Sequence, residues 1–250
     1  MPEGRTSTPE SVALWDAVRL AGDSALLLDF GSVVTPEAND RVLRVSHTLE
    51  KNKLEGIVGL VPAFATLLIE YDPTSTSAET LIEELCRLQY PQSVGDSRRT
   101  FEIPVHYGGE QGPDLVTVAQ RLGLTADEVI SLHANHAYRI YCLGFAPGFP
   151  LAGLLPERLR LPRRAVPRTA VYSGAVAIAG AQTGIYPLAT PGGWHLIGHT
   201  PVPLFDWRAT PPSVYGPGDA LIFRAVSWEE YSDLMEDRRR GELQIREVAR

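Results

Sequence analysis

Residues 138–153, "YRIYCLGFAPGFPLAG", begin the part of the chain that decides the fold. An apolar run typical of a buried strand ends at Gly144, and the next six residues contain two Phe, two Pro and another Gly. Gly and Pro fix unusual backbone angles, whereas Phe favours apolar surroundings. This pattern predicts a rigid loop in which Phe145 and Phe149 either pack into the core or form the wall of a site. The sequence leaves both alternatives open.

Short apolar runs punctuated by Gly and Pro continue to residue 226. Examples are "GAVAIAG" at 174–180, "GIYPLATPGGWHLIGHT" at 184–200 and "DALIFRAV" at 219–226. Many short strands with frequent turns are typical of a β barrel or a β sandwich. We therefore predict an all-β arrangement for this part of the chain.

Residues before the loop predict one strand and two helices. "FEIPVHYGG" at 101–109 has the character of a strand, and a short helix follows that ends near Gly123. Thr125 and Glu128 have the spacing of a capping box at the start of a second helix. After the predicted β strands, the charged stretch 228–248 predicts a helix followed by a tail.

The first third of the chain has a different pattern. "GDSALLLDFG" at 22–31 predicts a buried strand, and a helix follows in which Thr35 can cap and Pro36 suits the first turn. Residues 56–73 predict two strands or a hairpin. A second helix follows, with Thr76 and Glu79 in capping-box spacing. This order predicts a small α/β sandwich.

These patterns predict an α+β protein with five segments. The turn-rich, polar stretch after residue 92 has the composition of a linker. The predicted segments are a flexible arm at 1–10, a small α/β N-terminal domain at 11–92, a linker at 93–98, a domain at 99–227 built on a β barrel or sandwich, and a C-terminal helix and tail at 228–250.

Composition and net charge argue against several classes of function for this chain. The chain has 250 residues and a formal net charge of −7, which argues against nucleic-acid or membrane-surface partners because those need a basic face. Cys86 and Cys142 form no disulfide framework, and the sequence shows no apolar signal segment. We therefore expect a cytoplasmic protein. Cys142 has apolar neighbours, which favours a buried thiol over a nucleophile.

The histidines do not predict a metal site. His133 and His136, and His195 and His199, have spacings that occur in metal sites. A strand-like stretch would hold His195 and His199 about 13 Å apart, and no acidic or cysteine partner lies near them. We predict that no metal binds this chain. His133 is a candidate hydrogen-bonding group or general base, and a structural histidine is an equally good interpretation.

Longer motifs carry a resemblance to a known family. Residues 138–153, 161–201 and "DEVISLH" at 127–133 resemble the family that contains the B subunit of bacterial ATP-dependent 5-oxoprolinase. That family also contains the sporulation kinase inhibitor KipI and proteins called allophanate hydrolase subunit 1, and it is similar to part of the carboxyltransferase region of urea carboxylase. The resemblance extends over nearly the whole chain.

The resemblance implies that the second domain is a cyclophilin-like β barrel. It also implies a hydrolase that opens a small amide or lactam, 5-oxoproline, to glutamate, uses ATP in the assembled complex, and needs two partners, a homologous C subunit and an A subunit. The sequence has no P-loop, so ATP would bind elsewhere in the complex, and it has no biotinyl segment. Two alternatives are a protein that inhibits a histidine kinase and a subunit related to allophanate hydrolase or urea carboxylase.

The resemblance also suggests roles for individual residues in a barrel groove. His133 would transfer protons. The remaining residues would bind substrate through aromatic walls, hydrogen-bond donors and backbone N–H groups, although Gly pairs also turn chains and Trp194 also suits a core: Phe145, Gly148, Phe149, Gln182, Thr183, Tyr186, Thr190, Gly192, Gly193 and Trp194. The backbone of Gly144, like that of Gly148, would approach an anion.

Two positions depart from the family pattern. Leu151 stands where family members usually have Tyr, and His199 stands where they usually have Arg. If position 199 binds an anionic substrate, His199 would bind it less firmly at neutral pH, because only arginine keeps its charge there. His199 is therefore included among the candidate substrate-binding residues.

Overall fold

The computed structural model describes residues 13–93 and 98–248. Residues 13–93 belong to one compact unit and residues 98–248 to a second. The predicted arm at 1–10, residues 94–97 of the predicted linker and the last two residues of the predicted tail lie outside the described residues.

The first unit is a two-layer α/β sandwich. Its sheet is antiparallel with the order β1-β2-β4-β3. Apolar side chains of both helices, such as Val42 and Leu81, pack on Leu28 and Ile69 of the sheet. In chain order the elements are β1 (Ala17–Leu20), β2 (Ala25–Asp29), α1 (Pro36–Asn52), β3 (Ile57–Pro62), β4 (Thr66–Tyr71) and α2 (Ala78–Arg87). The sequence pattern did not predict strand β1.

Side-chain oxygens that accept hydrogen bonds from backbone N–H groups cap both helices of the first unit. The Thr35 hydroxyl accepts a hydrogen bond from the Ala38 N–H, so α1 begins as predicted. The predicted cap Thr76 is wrong. Ser77 caps α2, because its hydroxyl accepts a hydrogen bond from the Thr80 N–H.

The second unit is a closed barrel of seven strands. The strands follow the order β12-β9-β10-β7-β6-β13-β5, and β5 pairs with β12 to close the barrel. In chain order its elements are β5 (Thr100–Tyr107), α3 (Leu115–Leu122), α4 (Ala126–Ala134), β6 (Ala137–Leu143), β7 (Pro150–Gly153), β8 (Arg168–Val171), β9 (Ala175–Ala179), β10 (Gln182–Ile185), β11 (Thr190–Gly192), β12 (His195–His199), β13 (Ala220–Ala225), α5 (Trp228–Arg240) and β14 (Arg246–Val248). The prediction of an α+β protein with a barrel domain is confirmed.

Closure of the barrel requires a glycine. The closing ladder pairs Gly198 with Tyr107 and His199 with His106. A Cβ atom at Gly198 would lie 2.6 Å from Val105 Cγ1 and 2.8 Å from the His106 carbonyl oxygen. Any larger residue would therefore push the two strands apart.

The chain after α5 differs from the prediction. Residues 246–248 were expected to belong to a tail, but they form β14, which pairs antiparallel with Thr100–Glu102 of β5. One edge of β5 is already occupied by the parallel strand β13, so β14 covers the start of the other edge. Pairing satisfies backbone groups that an unpaired edge would expose.

Side chains alternate between the inside and the outside of the barrel. On β9, Val176 and Ile178 point into the barrel core, whereas Ala175, Ala177 and Ala179 belong to a second apolar cluster on the outer face. This alternation follows from the period of two in a strand. All five residues of β9 are buried because both faces are covered.

Two short, capped helices pack against the barrel. The Thr125 and Glu128 capping box is formed as predicted, and Gly123 ends α3 in the left-handed conformation. Val118 and Val129 place the apolar faces of these helices in the barrel core.

Candidate functional site

A small pocket on the outer face of the barrel brings together several of the predicted site residues. Its cavity volume is about 160 Å³. We call it the aromatic pocket, and it is lined by Phe145, Phe149, Leu151, Arg163, Tyr186, Gly192, Gly193 and Trp194. Six of these eight residues were predicted to bind substrate, and Leu151 was singled out as a departure from the family pattern.

Small residues on the outer face of β9 and β10 make room for the aromatic rings. Ala177 and Gly184 are paired in the ladder and lie side by side on that face. A Cβ atom at Gly184 would lie 2.7 Å from Phe149 Cε1. The Phe149 ring can therefore lie against the barrel wall only because position 184 has no side chain.

The rings brace one another edge to face. The Phe149 ring centroid lies 5.1 Å from that of Tyr186 and 5.5 Å from that of Trp194, and the interplanar angles are 87° and 89°. Such contacts stabilise aromatic pairs by about 0.5–1.5 kcal/mol beyond their burial. The walls of the pocket are therefore held in fixed orientations.

The two phenylalanines of the loop differ in exposure. Phe149 is 1% exposed and belongs to the apolar cluster of the outer face, whereas Phe145 is 67% exposed. Phe145 has a φ of 69°, a left-handed conformation that is uncommon for a residue with a side chain. Phe149 is thus both core and pocket wall, and Phe145 covers the pocket from the solvent side.

The glycines of the loop allow backbone conformations and close contacts that a side chain would prevent. Gly148 has a φ of 77°, and a Cβ atom there would lie 2.8 Å from Phe205 Cβ. Its carbonyl accepts a hydrogen bond from the Tyr215 hydroxyl. The Gly144 N–H donates to the Phe149 carbonyl within the loop. The Gly144 N–H is therefore occupied within the loop, which argues against an anion-binding role for Gly144, and that role for Gly148 stays a prediction.

Tyr186 presents a hydroxyl group beside the glycine pair. A Cβ atom at Gly192 would lie 2.2 Å from the Tyr186 oxygen, so the glycine leaves room for the hydroxyl. Burial raises the pKa of Tyr186, although a hydrogen bond from the Trp194 backbone N–H and the charge of Arg163 oppose this rise. The hydroxyl therefore stays protonated at neutral pH.

Sequence reasoning did not identify Arg163, the one cation among the described residues that line the pocket. Its neighbours Arg164 and Arg168 both bind the carboxylate of Asp114, at 3.0 Å and 2.8 Å. Burial alone would raise the pKa of Asp114, but hydrogen bonds from Arg168 and the Leu196 N–H and the two arginine charges lower it. Adjacent arginines look alike in the sequence, so only the fold distinguishes the paired Arg164 from Arg163.

His133 and Thr183 lie inside the barrel and not in the aromatic pocket. The Tyr107 hydroxyl lies 2.7 Å from His133 Nδ1, and His133 Nε2 lies 2.8 Å from Thr183 Oγ1. The Thr183 hydroxyl donates its proton to the Ala177 carbonyl. The Thr183 oxygen therefore accepts a hydrogen bond from His133 Nε2, which carries the proton of the neutral ring.

The predictions that His133 transfers protons and that Thr183 binds substrate are therefore corrected. Both residues are 0% exposed, and burial lowers the pKa of His133 to about 3. A side chain that is sealed in the core cannot reach a substrate on the outer face. Both residues instead form a buried structural cluster with Tyr107.

The prediction for His199 is also corrected. His199 Nδ1 accepts a hydrogen bond from the Tyr231 hydroxyl, and Nε2 donates to the Ser173 carbonyl at 3.0 Å. Burial lowers the pKa of His199 to about 4, so the ring is neutral at physiological pH. With both nitrogens occupied and no place in the pocket lining, His199 is a structural group and not an anion ligand.

Gln182 and Thr190 do not line the aromatic pocket. Gln182 is partly exposed at the start of β10, where it pairs with Gly153 and Ala179. The Thr190 hydroxyl is buried and has no hydrogen-bond partner within residues 13–93 and 98–248.

Metal ligands, membrane-spanning helices and cysteines are further features that could mark a functional site. In the described part of the chain, no group of three or more His, Cys, Asp or Glu residues is placed to hold a metal ion. None of the described helices has the length and apolar character needed to cross a membrane. Cys142 is buried, and burial raises its thiol pKa to about 11.

Comparison with known sequences identifies the family. The family model described as "Carboxyltransferase domain, subdomain C and D" matches residues 17–215. The chain is 38% identical to the 5-oxoprolinase B subunit of Bacillus subtilis over 230 residues, covering 86% of this chain and 95% of that protein. It is 41% identical to the protein of the same name from Escherichia coli O157:H7 over 205 residues, covering 82% and 93%.

Solved structures support the same relationship. The crystal structure of a protein called TTHA0988 is 42% identical in sequence with a TM-score of 0.75, covering 84% of this chain. This chain spans only 41% of the length of TTHA0988. A conserved uncharacterized protein from Pyrococcus horikoshii, PH0987, is 42% identical with a TM-score of 0.52, covering 86% of this chain and 100% of that one.

A more distant structure shares the fold alone. Kluyveromyces lactis urea carboxylase has a TM-score of 0.75 at 23% identity, covering 92% of this chain and 23% of that protein. The agreement of the family model with relatives that match over most of their length leads to one conclusion. The chain belongs to the carboxyltransferase domain family, subdomains C and D, together with the proteins named as the B subunit of 5-oxoprolinase.

Proposed function

We propose that this chain is the B subunit of a 5-oxoprolinase, a hydrolase that opens the lactam of 5-oxoproline to give glutamate. The observation that carries the proposal is the identity of 38–41% to two proteins of that name, over 95% and 93% of their lengths. Similarity over nearly the whole chain supports a shared role more strongly than similarity of one motif would.

The aromatic pocket is consistent with a small cyclic substrate. Its volume of about 160 Å³ is below the range of about 300–1,000 Å³ that is usual for drug-sized ligands. Aromatic walls suit the flat face of a five-membered lactam, and the Tyr186 hydroxyl can donate a hydrogen bond to a carbonyl. We propose that this pocket binds the substrate.

Among the residues that the structure describes, the pocket lacks a carboxylate, imidazole or thiol that could act as a general base. None of the described residues that line it is Asp, Glu, His or Cys. His133, the predicted proton-transfer group, is sealed inside the barrel. We therefore propose that the chain binds substrate and that companion subunits supply the remaining catalytic groups.

The chemistry favours a reaction driven by ATP. A lactam carbonyl is a poor electrophile. Attack of its oxygen on the terminal phosphorus of ATP releases ADP and activates the carbon. One water then adds to that carbon, the ring C–N bond breaks with the amine as leaving group, and a second water hydrolyses the resulting acyl phosphate to glutamate and phosphate. We propose that ATP binds on a different polypeptide of the complex, and that the complex is cytoplasmic because ATP is available there.

The proposed partners are the homologous C subunit and the A subunit of such an enzyme. The word "subunit" in the names of the relatives supports a complex of several chains. TTHA0988 is also much longer than the part that this chain matches, which leaves room for a further module on the same polypeptide. Both observations are consistent with a barrel that works only beside another protein.

Reconstitution tests the proposal. The chain is purified alone and together with its A and C partners, and the release of glutamate and ADP from 5-oxoproline and ATP is measured. We expect turnover from the assembled complex and none from the chain alone. Full turnover by the isolated chain would contradict the need for partners, and an inactive complex would contradict the proposed reaction.

A further inference from the structure

We propose that Arg163 binds the carboxylate of the substrate while the substrate ring lies between the aromatic walls, so that Arg163 selects small cyclic carboxylic acids. The inference rests on the proposed function only for the identity of the substrate as 5-oxoproline. Its basis is the contrast between Arg163 and the arginines around it.

Arg163 is an uncommitted cation. In the described part of the chain its guanidinium makes no ion pair or hydrogen bond, whereas Arg164 and Arg168 are both held by Asp114. Arg163 is also exposed at the edge of the pocket. An anion that enters the pocket can therefore bind Arg163 without breaking an existing contact.

The backbone on both sides of Arg163 is fixed although its side chain is free. Leu161 forms a β-bridge with Gly180. The Pro162 carbonyl accepts a hydrogen bond from His195 Nε2, and the Arg164 N–H donates to the Gly193 carbonyl at 2.8 Å. The barrel thus places the start of the Arg163 side chain beside the glycine pair of the pocket.

The formal charge of the described residues that line the pocket is positive and comes from Arg163. The other seven residues that line it carry no formal charge. The positive charge of Arg163 acts on Tyr186, where it opposes the rise in the hydroxyl pKa that burial causes. Arg163 and Tyr186 line the same cavity of about 160 Å³, so both can act on one small ligand.

The two polar groups suit different ends of such a ligand. A guanidinium matches a carboxylate in bidentate geometry, and hydrogen bonds between charged groups are shorter and stronger than those between neutral groups. The Tyr186 hydroxyl stays protonated at neutral pH, so it can donate a hydrogen bond to a carbonyl. A ring that carries a carboxylate and an amide carbonyl, as 5-oxoproline does, satisfies both groups within the small volume.

A matched pair of ligands tests the inference on the full chain. Binding of L-5-oxoproline and of its uncharged amide, L-5-oxoprolinamide, is measured by calorimetry and by ligand-observed NMR. The variants are Arg163→Gln, which removes the charge, and Arg163→Lys, which keeps the charge but loses the bidentate geometry of the guanidinium. Arg121→Gln is the control, because Arg121 is an exposed arginine on α3 that does not line the pocket.

We expect the unaltered chain to prefer the acid to the amide. Arg163→Gln should weaken binding of the acid about tenfold or more, because it removes the charge that pairs with the carboxylate. A tenfold loss of affinity corresponds to about 1.4 kcal/mol in the free energy of binding. Arg163→Lys should give a smaller loss, and Arg121→Gln should give none. Equal binding of acid and amide, no binding of either, or an unchanged affinity in Arg163→Gln would overturn the inference.

Turnover of the reconstituted complex separates this inference from the proposed function. An active complex in which the isolated chain binds neither ligand would leave the function standing and refute the role of Arg163. An inactive complex in which the chain still binds the acid through Arg163 would refute the function and retain the carboxylate site.

Discussion

The interior of the barrel and the aromatic pocket on its outer face were predicted to form one site, and they are opposite in character. Inside, Tyr107, His133 and Thr183 satisfy one another through hydrogen bonds and are closed to solvent. Outside, the pocket has apolar walls and a cation without a partner among the described residues. Polar residues alone therefore do not mark a site in this protein.

Neighbouring residues of one strand show how the two regions are separated. Thr183 points into the barrel and binds His133, whereas Gly184 lies on the outer face under the Phe149 ring. A step of one residue along a strand turns the side chain to the opposite face. Residues that are close in a motif are thus divided between a structural cluster and a binding pocket.

Phe149→Ala should have the largest effect. Phe149 is 1% exposed and contacts both Tyr186 and Trp194, so its removal should lower the free energy of unfolding by about 3–5 kcal/mol. The variant should also lose binding of 5-oxoproline, because it loses a pocket wall. Denaturant unfolding and calorimetry measure the two effects. A stability loss below about 1 kcal/mol would show that the ring is not part of the core.

His133→Leu should affect the barrel interior alone. The change leaves the Tyr107 hydroxyl buried without its acceptor, which costs about 1–3 kcal/mol in the free energy of unfolding. Affinity for 5-oxoproline should stay the same at a temperature where the variant is folded. Loss of affinity or of turnover without loss of stability would instead indicate that His133 takes part in the reaction.

Acid should destabilise the barrel through its buried histidines. The folded pKa values of about 3 for His133 and about 4 for His199 lie below the ordinary value of 6.5. Stability is therefore fully present above about pH 6.5 and is lost as the pH falls, because the unfolded chain binds protons that the folded chain does not. Each histidine contributes a slope of up to about 1.4 kcal/mol per pH unit.

Unfolding measured between about pH 6 and pH 5 tests this slope, since few carboxylates titrate there. His133→Leu should show a smaller slope than the unaltered chain, by up to about 1.4 kcal/mol per pH unit. An identical slope in both proteins would mean that His133 is not kept neutral by the fold.

Phe145→Ala should have the smallest effect on stability. Phe145 is 67% exposed, so its loss should change the free energy of unfolding by about 0.5 kcal/mol or less. Because the ring covers the pocket, binding of 5-oxoproline should still weaken, and calorimetry measures the change. A large loss of stability with full binding would reverse the roles assigned to Phe145 and Phe149.

The sequence by itself determined most of the local structure and the family. Thr35, Thr125 and Gly123 end or begin helices as predicted, because capping depends on residues a few positions apart. Short apolar runs between Gly and Pro predicted the barrel strands for the same local reason. The sequence pattern does not predict strand β1 and predicts a tail in place of β14, because strand pairing depends on distant partners.

Only the tertiary structure decided which candidate residues share a site. Phe149, Tyr186 and Trp194 come together because small residues on β9 and β10 leave space for their rings. His133 and His199 became structural groups because the fold buries them beside hydrogen-bond partners. Arg163 differs from Arg164 only in what lies beside it. Burial and pairing are properties of contacts between distant parts of the chain, and a linear pattern does not contain them.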